Sequence, residues 1–295
     1  MNDMFRKKVI GMYKIDCKKV REEMLEEAKE KINKIHKELN RKLKIVVIQV
    51  KGDLASVVYI RNKVKTCESV GIDCEVLEFP SDISYKELES NILSHSLDDN
   101  VDGVILQLPL PDHLKPYQNQ LINTIDGRKD VDGLTDYNVM KLWTDQDGIR
   151  PATAEGILRL LPEDLSYKTV SIYGRSNLVG KPLIKMLMDR NATVTVYHSK
   201  SAVLTDYLLY TKESDIVISA IGKPKYLKAL PSMASKTIFI DVGINRDSDG
   251  KLCGDFDFQS DGFFTYTPVP GGVGVLTTAQ LVLNLIKCYE MKKGK

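Results

Sequence analysis

Thr169-Val-Ser-Ile-Tyr-Gly174-Arg-Ser-Asn-Leu-Val-Gly180 joins a short β-branched apolar run to the start of a helix through a turn bounded by two glycines. Small residues at such a turn let backbone approach a pyrophosphate, whose charge a helix N-terminus stabilises. The turn lacks the full GxGxxG spacing, and many glycine turns are only turns. Its surroundings strengthen it. A helix is expected from about Gly180 to Asp189, then the runs TVTVYHS, DIVISAIG and TIFIDVGI follow at the spacing of a doubly wound α/β fold. The second of these strands ends Tyr197-His198-Ser199-Lys200, with none of the acid that an NAD site places near the ribose 2′-hydroxyl. Arg175 in the turn and the Ser199 hydroxyl suit a 2′-phosphate instead, because guanidinium offers a charge-assisted fork. The pattern therefore favours NADP over NAD.

Upstream, the same alternation appears once already. From Asp16 to Asn40, Val20, Met24, Ala28, Ile32, Ile35 and Leu39 fall at helical spacing among charges. KIVVIQV (Lys44–Val50) reads as a buried strand, followed by a helix from about Ala55 to Val70 that stops at Gly71. Strand CEVLEFP, a helix over roughly Ser84–Leu97 and strand VDGVILQLPLP complete a βαβαβ series, the pattern of a parallel sheet. A closing helix is expected from about Thr277 to Met291, with Gln280, Asn284 and Lys287 as a narrow polar stripe. The expected fold class is α/β in two domains. An N-terminal parallel α/β/α domain covers residues 1–147 plus 276–295, and a Rossmann-type doubly wound nucleotide-binding domain covers 148–275.

Composition agrees with two soluble domains: 295 residues, 43% hydrophobic and 28% charged, with mean hydropathy −0.20. Lys plus Arg number 42 against 40 Asp plus Glu, a net charge of +2, which lacks the basic excess of a nucleic-acid surface. No apolar run approaches the length of about 18 residues that spans a membrane, and the N-terminus lacks the apolar core of an export signal. Five scattered cysteines without a CxxC fit reduced thiols in the cytoplasm. With four histidines and no HExxH or Cys/His cluster, no dedicated metal site is expected.

The first half carries its own candidates. In Ser56-Val-Val-Tyr59-Ile-Arg-Asn-Lys63-Val-Lys65, residues Val57, Ile60, Val64 and Cys67 are expected to face the core, with Tyr59 and Lys63 adjacent at i,i+4 to one side. An aromatic platform beside an ammonium suits a flat heterocycle and proton transfer, although spacing alone is better served by a surface pair. The YxxxK spacing also occurs in short-chain dehydrogenases, but there the nucleotide turn precedes it, the reverse of the order here. Val104-Ile-Leu-Gln107-Leu-Pro-Leu-Pro111 must stop pairing at its prolines, which exposes the carboxyl end of the strand. Lys129-Asp130-Val-Asp132-Gly133 puts two carboxylates at a tight turn, a pattern that ordinary Asp-Gly turns share. Pro268-Val-Pro270-Gly271-Gly272-Val-Gly274 mixes stiff and permissive residues, as a shaped binding loop does.

Taken in order, SVVYIRNKVK, GVILQLPLP, KDVDG, GRSNLVGKP, IDVGIN and TPVPGGVG resemble the bifunctional methylenetetrahydrofolate dehydrogenase/methenyltetrahydrofolate cyclohydrolase family, from about residue 50 onward. The resemblance implies oxidation of 5,10-methylenetetrahydrofolate with NADP, then hydrolysis to 10-formyltetrahydrofolate. It implies Lys63 as the central catalytic residue of hydrolysis, Gln107 against it, Tyr59 stacked on the folate and Asp132 bonded to the pterin. Pro270, Gly271 and Gly272 would line the folate. Gly174, Arg175 and Ser176 would hold the nucleotide, with Ser199 near the 2′-phosphate and Ile244 and Thr153 also contributing. It further implies a homodimer and a C-terminal helix packed back on the first domain. Two stretches depart from the family's usual pattern: Pro151-Ala-Thr-Ala154 where Pro-Cys-Thr-Pro is common, and Val275-Leu-Thr277 where Pro-Met-Thr is common.

Overall fold

The computed structural model describes residues 13–52, 54–201, 214–229, 237–258 and 265–294, without the side chains of 54–56. The reading of an N-terminus without an export signal falls largely on residues 1–12, outside the described residues. In chain order the elements begin β1 (Tyr13–Lys14), α1 (Cys17–Leu39), β2 (Lys44–Val50), α2 (Leu54–Ser69), β3 (Asp73–Phe79), α3 (Tyr85–Leu97) and β4 (Gly103–Leu106). Helices α4 (Gln118–Asn123), α5 (Asp136–Trp143) and α6 (Ala152–Leu158) follow, then β5 (Thr169–Tyr173), α7 (Gly180–Met188) and β6 (Thr193–Tyr197). The remainder is β7 (Ile216–Ser219), β8 (Leu227–Ala229), β9 (Ile238–Asp241), β10 (Asn245–Arg246), β11 (Leu252–Cys253), β12 (Phe256–Phe258), β13 (Thr265–Tyr266) and α8 (Val273–Lys293).

Two compact units result. One comprises Glu22–Ala152 with Thr278–Lys295; the other comprises the residues up to Arg21 with Thr153–Thr277. The first unit is built on a parallel sheet in the order β3-β2-β4. Strand β2 lies in the middle, and every residue from Ile45 to Val50 is buried, as an apolar β-branched run without polar alternation dictates. Helices α1 and α3 are started by side chains that satisfy otherwise unpaired N–H groups: Asp16 Oδ1 accepts from Lys19 N at 3.0 Å, and Ser84 Oγ from Glu87 N at 3.2 Å. Helix α2 ends where Ile72 N donates to Cys67 O and Gly71 N to Glu68 O, with Gly71 at φ +85°. Helix α8 packs back on this unit: Leu285 lies so close to Gly103 that an added Cβ there would sit 2.6 Å from it, and Tyr289 Oη donates to Glu38 Oε2 at 3.2 Å.

The second unit holds a parallel sheet in the order β1-β13-β9-β7-β5-β6. The chain goes from β5 outward to β6, then returns to lay β7 on the other side of β5. That reversal is the switch point beside which open α/β sheets bind ligands. Tyr173, Val217, Phe239, Phe256 and Tyr266 are among the side chains of its core.

Most of the expected elements appear, with boundaries that differ for physical reasons. Strand β4 stops at Leu106, because the proline at 109 offers no N–H to a ladder. Helix α8 starts one turn before Thr277, directly out of the glycine-rich loop. Val57 is 43% exposed rather than in the core, while Ile60 and Cys67 are buried.

Candidate active site and nucleotide site

Helix α2 follows β2, and β4 pairs with β2 on the side opposite β3, so Lys63 and Gln107 both belong to the carboxyl edge of the small sheet at its own switch point. There Lys63 Nζ donates to Gln107 Oε1 at 2.9 Å. Two bonds fix the glutamine in turn. Its backbone N–H continues the ladder to Ile48 O at 2.8 Å, and its Nε2 donates to Leu108 O at 2.6 Å, just before the cis Leu108–Pro109 peptide. With the amide nitrogen so occupied, the oxygen is the atom left to face the ammonium. Both side chains are half-buried. Tyr59 stands one turn before Lys63 and is 36% exposed, which leaves ring surface for a flat partner.

The two carboxylates of the 129–133 turn have separate jobs. Asp130 is buried and accepts from Gly133 N, Thr135 N, Thr135 Oγ1 and Asn138 Nδ2 at 2.8–2.9 Å, so it holds the turn together. Asp132 is not among the partners of that network. Removal from water raises its carboxyl above the ordinary aspartate range, the Lys63 ammonium pulls it back, and Asp130 adds to the rise. Lys63 and Asp132 are therefore close enough to sense each other's charge. Gly133, at φ +72°, passes so near Arg150 that a Cβ would sit 2.6 Å from its carbonyl carbon. Asn284 Nδ2 donates to both Val131 O at 2.8 Å and Arg150 O at 2.9 Å, and Asn284 Oδ1 accepts from Gln280 Nε2 at 3.0 Å. Two members of the polar stripe on α8 are thus buried clamps on the Asp132 turn. Their polarity gave the only sequence signal, and the two carbonyls that Asn284 holds lie more than a hundred residues away.

In the second unit, Gly174 stands at φ +118° after β5, its N–H donating to Tyr197 O at 2.9 Å, which draws the ends of β5 and β6 together. A Cβ on Gly180 would lie 2.4 Å from Gly174 O, so only glycine lets α7 start this close to the turn. Arg175 and Ser176 project from the turn into solvent, and Ser176 Oγ accepts from Val179 N at 3.2 Å. Ser199 is exposed in a turn that His198 and Ser201 close: Ser201 N donates to His198 O at 2.8 Å. Ile244, 41% exposed, follows β9, and its Cδ1 lies 3.2 Å from where a Gly274 Cβ would be. The loop of Pro270, Gly271 and Gly272 is in this unit too, with a cis Val269–Pro270 peptide and Gly271 at φ +92°. Thr153 sits apart from the turn, its Oγ1 accepting from Thr277 Oγ1 at 3.3 Å at the foot of α8.

The donor set suits a phosphorylated dinucleotide. A helix N-terminus, a guanidinium and two hydroxyls stand at the carboxyl ends of β5 and β6, and among the described residues 198–201 no carboxylate follows Tyr197 to repel a 2′-phosphate. Among the described residues, no three His, Cys, Asp or Glu are grouped to hold a metal ion, and no helix is long and apolar enough to cross a membrane.

Residues 15–132 match the model of the tetrahydrofolate dehydrogenase/cyclohydrolase catalytic domain, and residues 151–293 match that family's NAD(P)-binding domain. The chain belongs to this family. Among curated relatives it is 41% identical over 286 residues to the bifunctional protein FolD of Wolbachia sp. subsp. Drosophila simulans, covering 95% of this chain and 96% of that one. Among solved structures, the FolD methylenetetrahydrofolate dehydrogenase/cyclohydrolase of Campylobacter jejuni superposes with a TM-score of 0.86 at 37% identity, covering 95% and 99% of the two chains. The FolD of Trypanosoma brucei, solved with NADP cofactor and an inhibitor, gives a TM-score of 0.87 at 27% identity, covering 97% of this family member and 100% of that chain.

Proposed function

We propose that the protein oxidises 5,10-methylenetetrahydrofolate to 5,10-methenyltetrahydrofolate with NADP and then hydrolyses that product to 10-formyltetrahydrofolate. Membership of the family over both units supports the pair of reactions, and the Lys63–Gln107 contact is the observation that gives the second one a place.

When bound, NADP supplies the hydride acceptor. The oxidation asks little acid or base of the chain, since the cation left on the folate is shared between two nitrogens; positioning of flat rings carries most of that step. Arg175 and Ser199 hold the 2′-phosphate corner, Gly174 and Ser176 hold the pyrophosphate side, and Ile244 and Thr153 border the nucleotide. Tyr59 supports the folate from below, Asp132 hydrogen-bonds the pterin, and Pro270, Gly271 and Gly272 shape its surroundings. Hydrolysis needs a proton moved as water adds to the cationic carbon. Lys63 Nζ is the group that exchanges it, and Gln107 Oε1 takes one of its N–H bonds to aim the nitrogen. On this reading, residues 1–147 with 276–295 serve the folate, and 148–275 serve the nucleotide. The protein works as a homodimer in the cytoplasm, in keeping with its five free cysteines.

The test is to supply 5,10-methylenetetrahydrofolate with NADP or NAD and identify the folate products. NADP-dependent 10-formyltetrahydrofolate, formed above the rate in buffer, is expected. Accumulation of unhydrolysed methenyltetrahydrofolate would remove the role of Lys63, and no turnover would leave only a binding protein.

A further inference from the structure

Asp255, on the bend between β11 and β12, is completely buried, yet its carboxylate takes five hydrogen bonds. Oδ2 accepts from Ser219 Oγ at 2.7 Å, Ile221 N at 2.9 Å and Gly222 N at 3.3 Å. Oδ1 accepts from Lys223 N and Asn245 Nδ2, both at 2.9 Å. Three successive backbone N–H groups converging on one anion form a concave nest of the kind that elsewhere cradles phosphates. Here the chain fills the nest with its own side chain.

The loops so held are the two that leave the carboxyl ends of β7 and β9. The first backs directly on the phosphate turn, for a Cβ on Gly174 would lie 2.6 Å from Ala220 O. The second carries Ile244, next to the bonded Asn245. Its Gly243 passes the carboxylate so closely that a Cβ would sit 2.1 Å from Asp255 Oδ1. Asp255 is itself seated by Asp241, whose Oδ1 accepts from Asp255 N at 2.9 Å and whose Oδ2 accepts from Phe256 N at 3.0 Å. A dinucleotide on this sheet lies across the switch point at β5. With the 2′-phosphate corner at the end of β6, the adenosine half falls on the β6 side and the nicotinamide half on the side of β7 and β9.

We propose that Asp255 is a positioning residue for the nicotinamide half of NADP, acting through the backbone of Ile221–Lys223 and through Asn245. The proposal rests on the NADP reading of this unit. Asp255→Asn keeps the shape but turns an amide against N–H donors, which should loosen both loops.

Calorimetric titration with NADP, and separately with adenosine 2′,5′-bisphosphate, tests this, since the second probe has the 2′-phosphate corner without the nicotinamide. The NADP dissociation constant of Asp255→Asn should rise about tenfold, while that of the fragment should change less than about twofold. Asn245→Ala, a milder change that frees only the β9 loop, should show the same split at a few-fold. NADP binding as tight as in the parent, or equal losses for NADP and the fragment in a folded Asn245→Ala protein, would overturn the proposal. A parent that binds neither probe would instead overturn the NADP reading on which it stands.

Discussion

Asp130 and Asp255 are both buried carboxylates, one in each unit, yet they collect their partners from different distances along the chain. Asp130 takes its donors from Gly133, Thr135 and Asn138, at most eight residues on. Asp255 takes its donors from residues ten to thirty-six positions earlier. The first closes the local turn that carries Asp132, whose carboxyl senses the Lys63 ammonium. The second ties together loops that local sequence would leave independent. In the first unit, a side chain bonds directly to the lysine of the proposed chemistry; in the second, one buried carboxylate holds the backbone of a loop.

The contrast predicts where damage should appear. Lys63→Met should lower the hydrolysis of methenyltetrahydrofolate by a hundredfold or more, roughly the contribution of a positioned acid–base group. NADP titration curves should stay unchanged. Hydrolysis at the parent rate would end the division of labour between the units. Asp130→Ala removes four buried hydrogen bonds, with Gly133 N keeping the backbone Asp130 O and Asn138 Nδ2 keeping Gly127 O, and urea unfolding should register a loss of about 3 kcal/mol. A loss under about 1 kcal/mol would mean that water or a shifted loop replaces the carboxylate. Arg175→Ala should weaken NADP about tenfold and leave NAD nearly untouched, because only NADP has a 2′-phosphate for the guanidinium to grip. Equal losses, measured by fluorescence titration of both dinucleotides, would place Arg175 on the shared pyrophosphate.

The smallest effect concerns Asp132. Its folded-state value is raised by burial above the ordinary 3.8, so folding favours the protonated form. That contribution to stability is full below the unfolded value and is lost as pH rises through the folded one. Asp132→Asn should therefore flatten the fall of Tm with rising pH just above pH 4. An unchanged slope would show that the Lys63 ammonium offsets the burial fully.

Sequence periodicity made both sheets legible because their inner strands are buried runs punctuated by glycine and proline. It also put Tyr59 and Lys63 side by side, since i,i+4 geometry is local. It did not separate Asp130 from Asp132. Both occur in one Asp-Gly turn, and only the fold decides which carboxylate is fed by backbone donors. Asp255 and Asn284 went unnoticed as structural anchors for the same reason: each is identified by partners that sequence spacing does not bring near. Strand β1 was equally hidden, because two residues carry no pattern, and their pairing with Thr265 and Tyr266 is made 252 positions away.

The clamp of Asn284 on the Asp132 turn has a consequence for the order of synthesis. The carbonyls of Val131 and Arg150 leave the ribosome 153 and 134 residues before the amide that pairs with them. At about 5–20 residues per second, that gap lasts on the order of ten seconds or more. During it, the strands from β5 onward emerge while the two carbonyls still lack their amide donor. A nascent chain stalled before residue 284 should therefore protect β2 and β4 from hydrogen exchange while the 129–133 segment remains open.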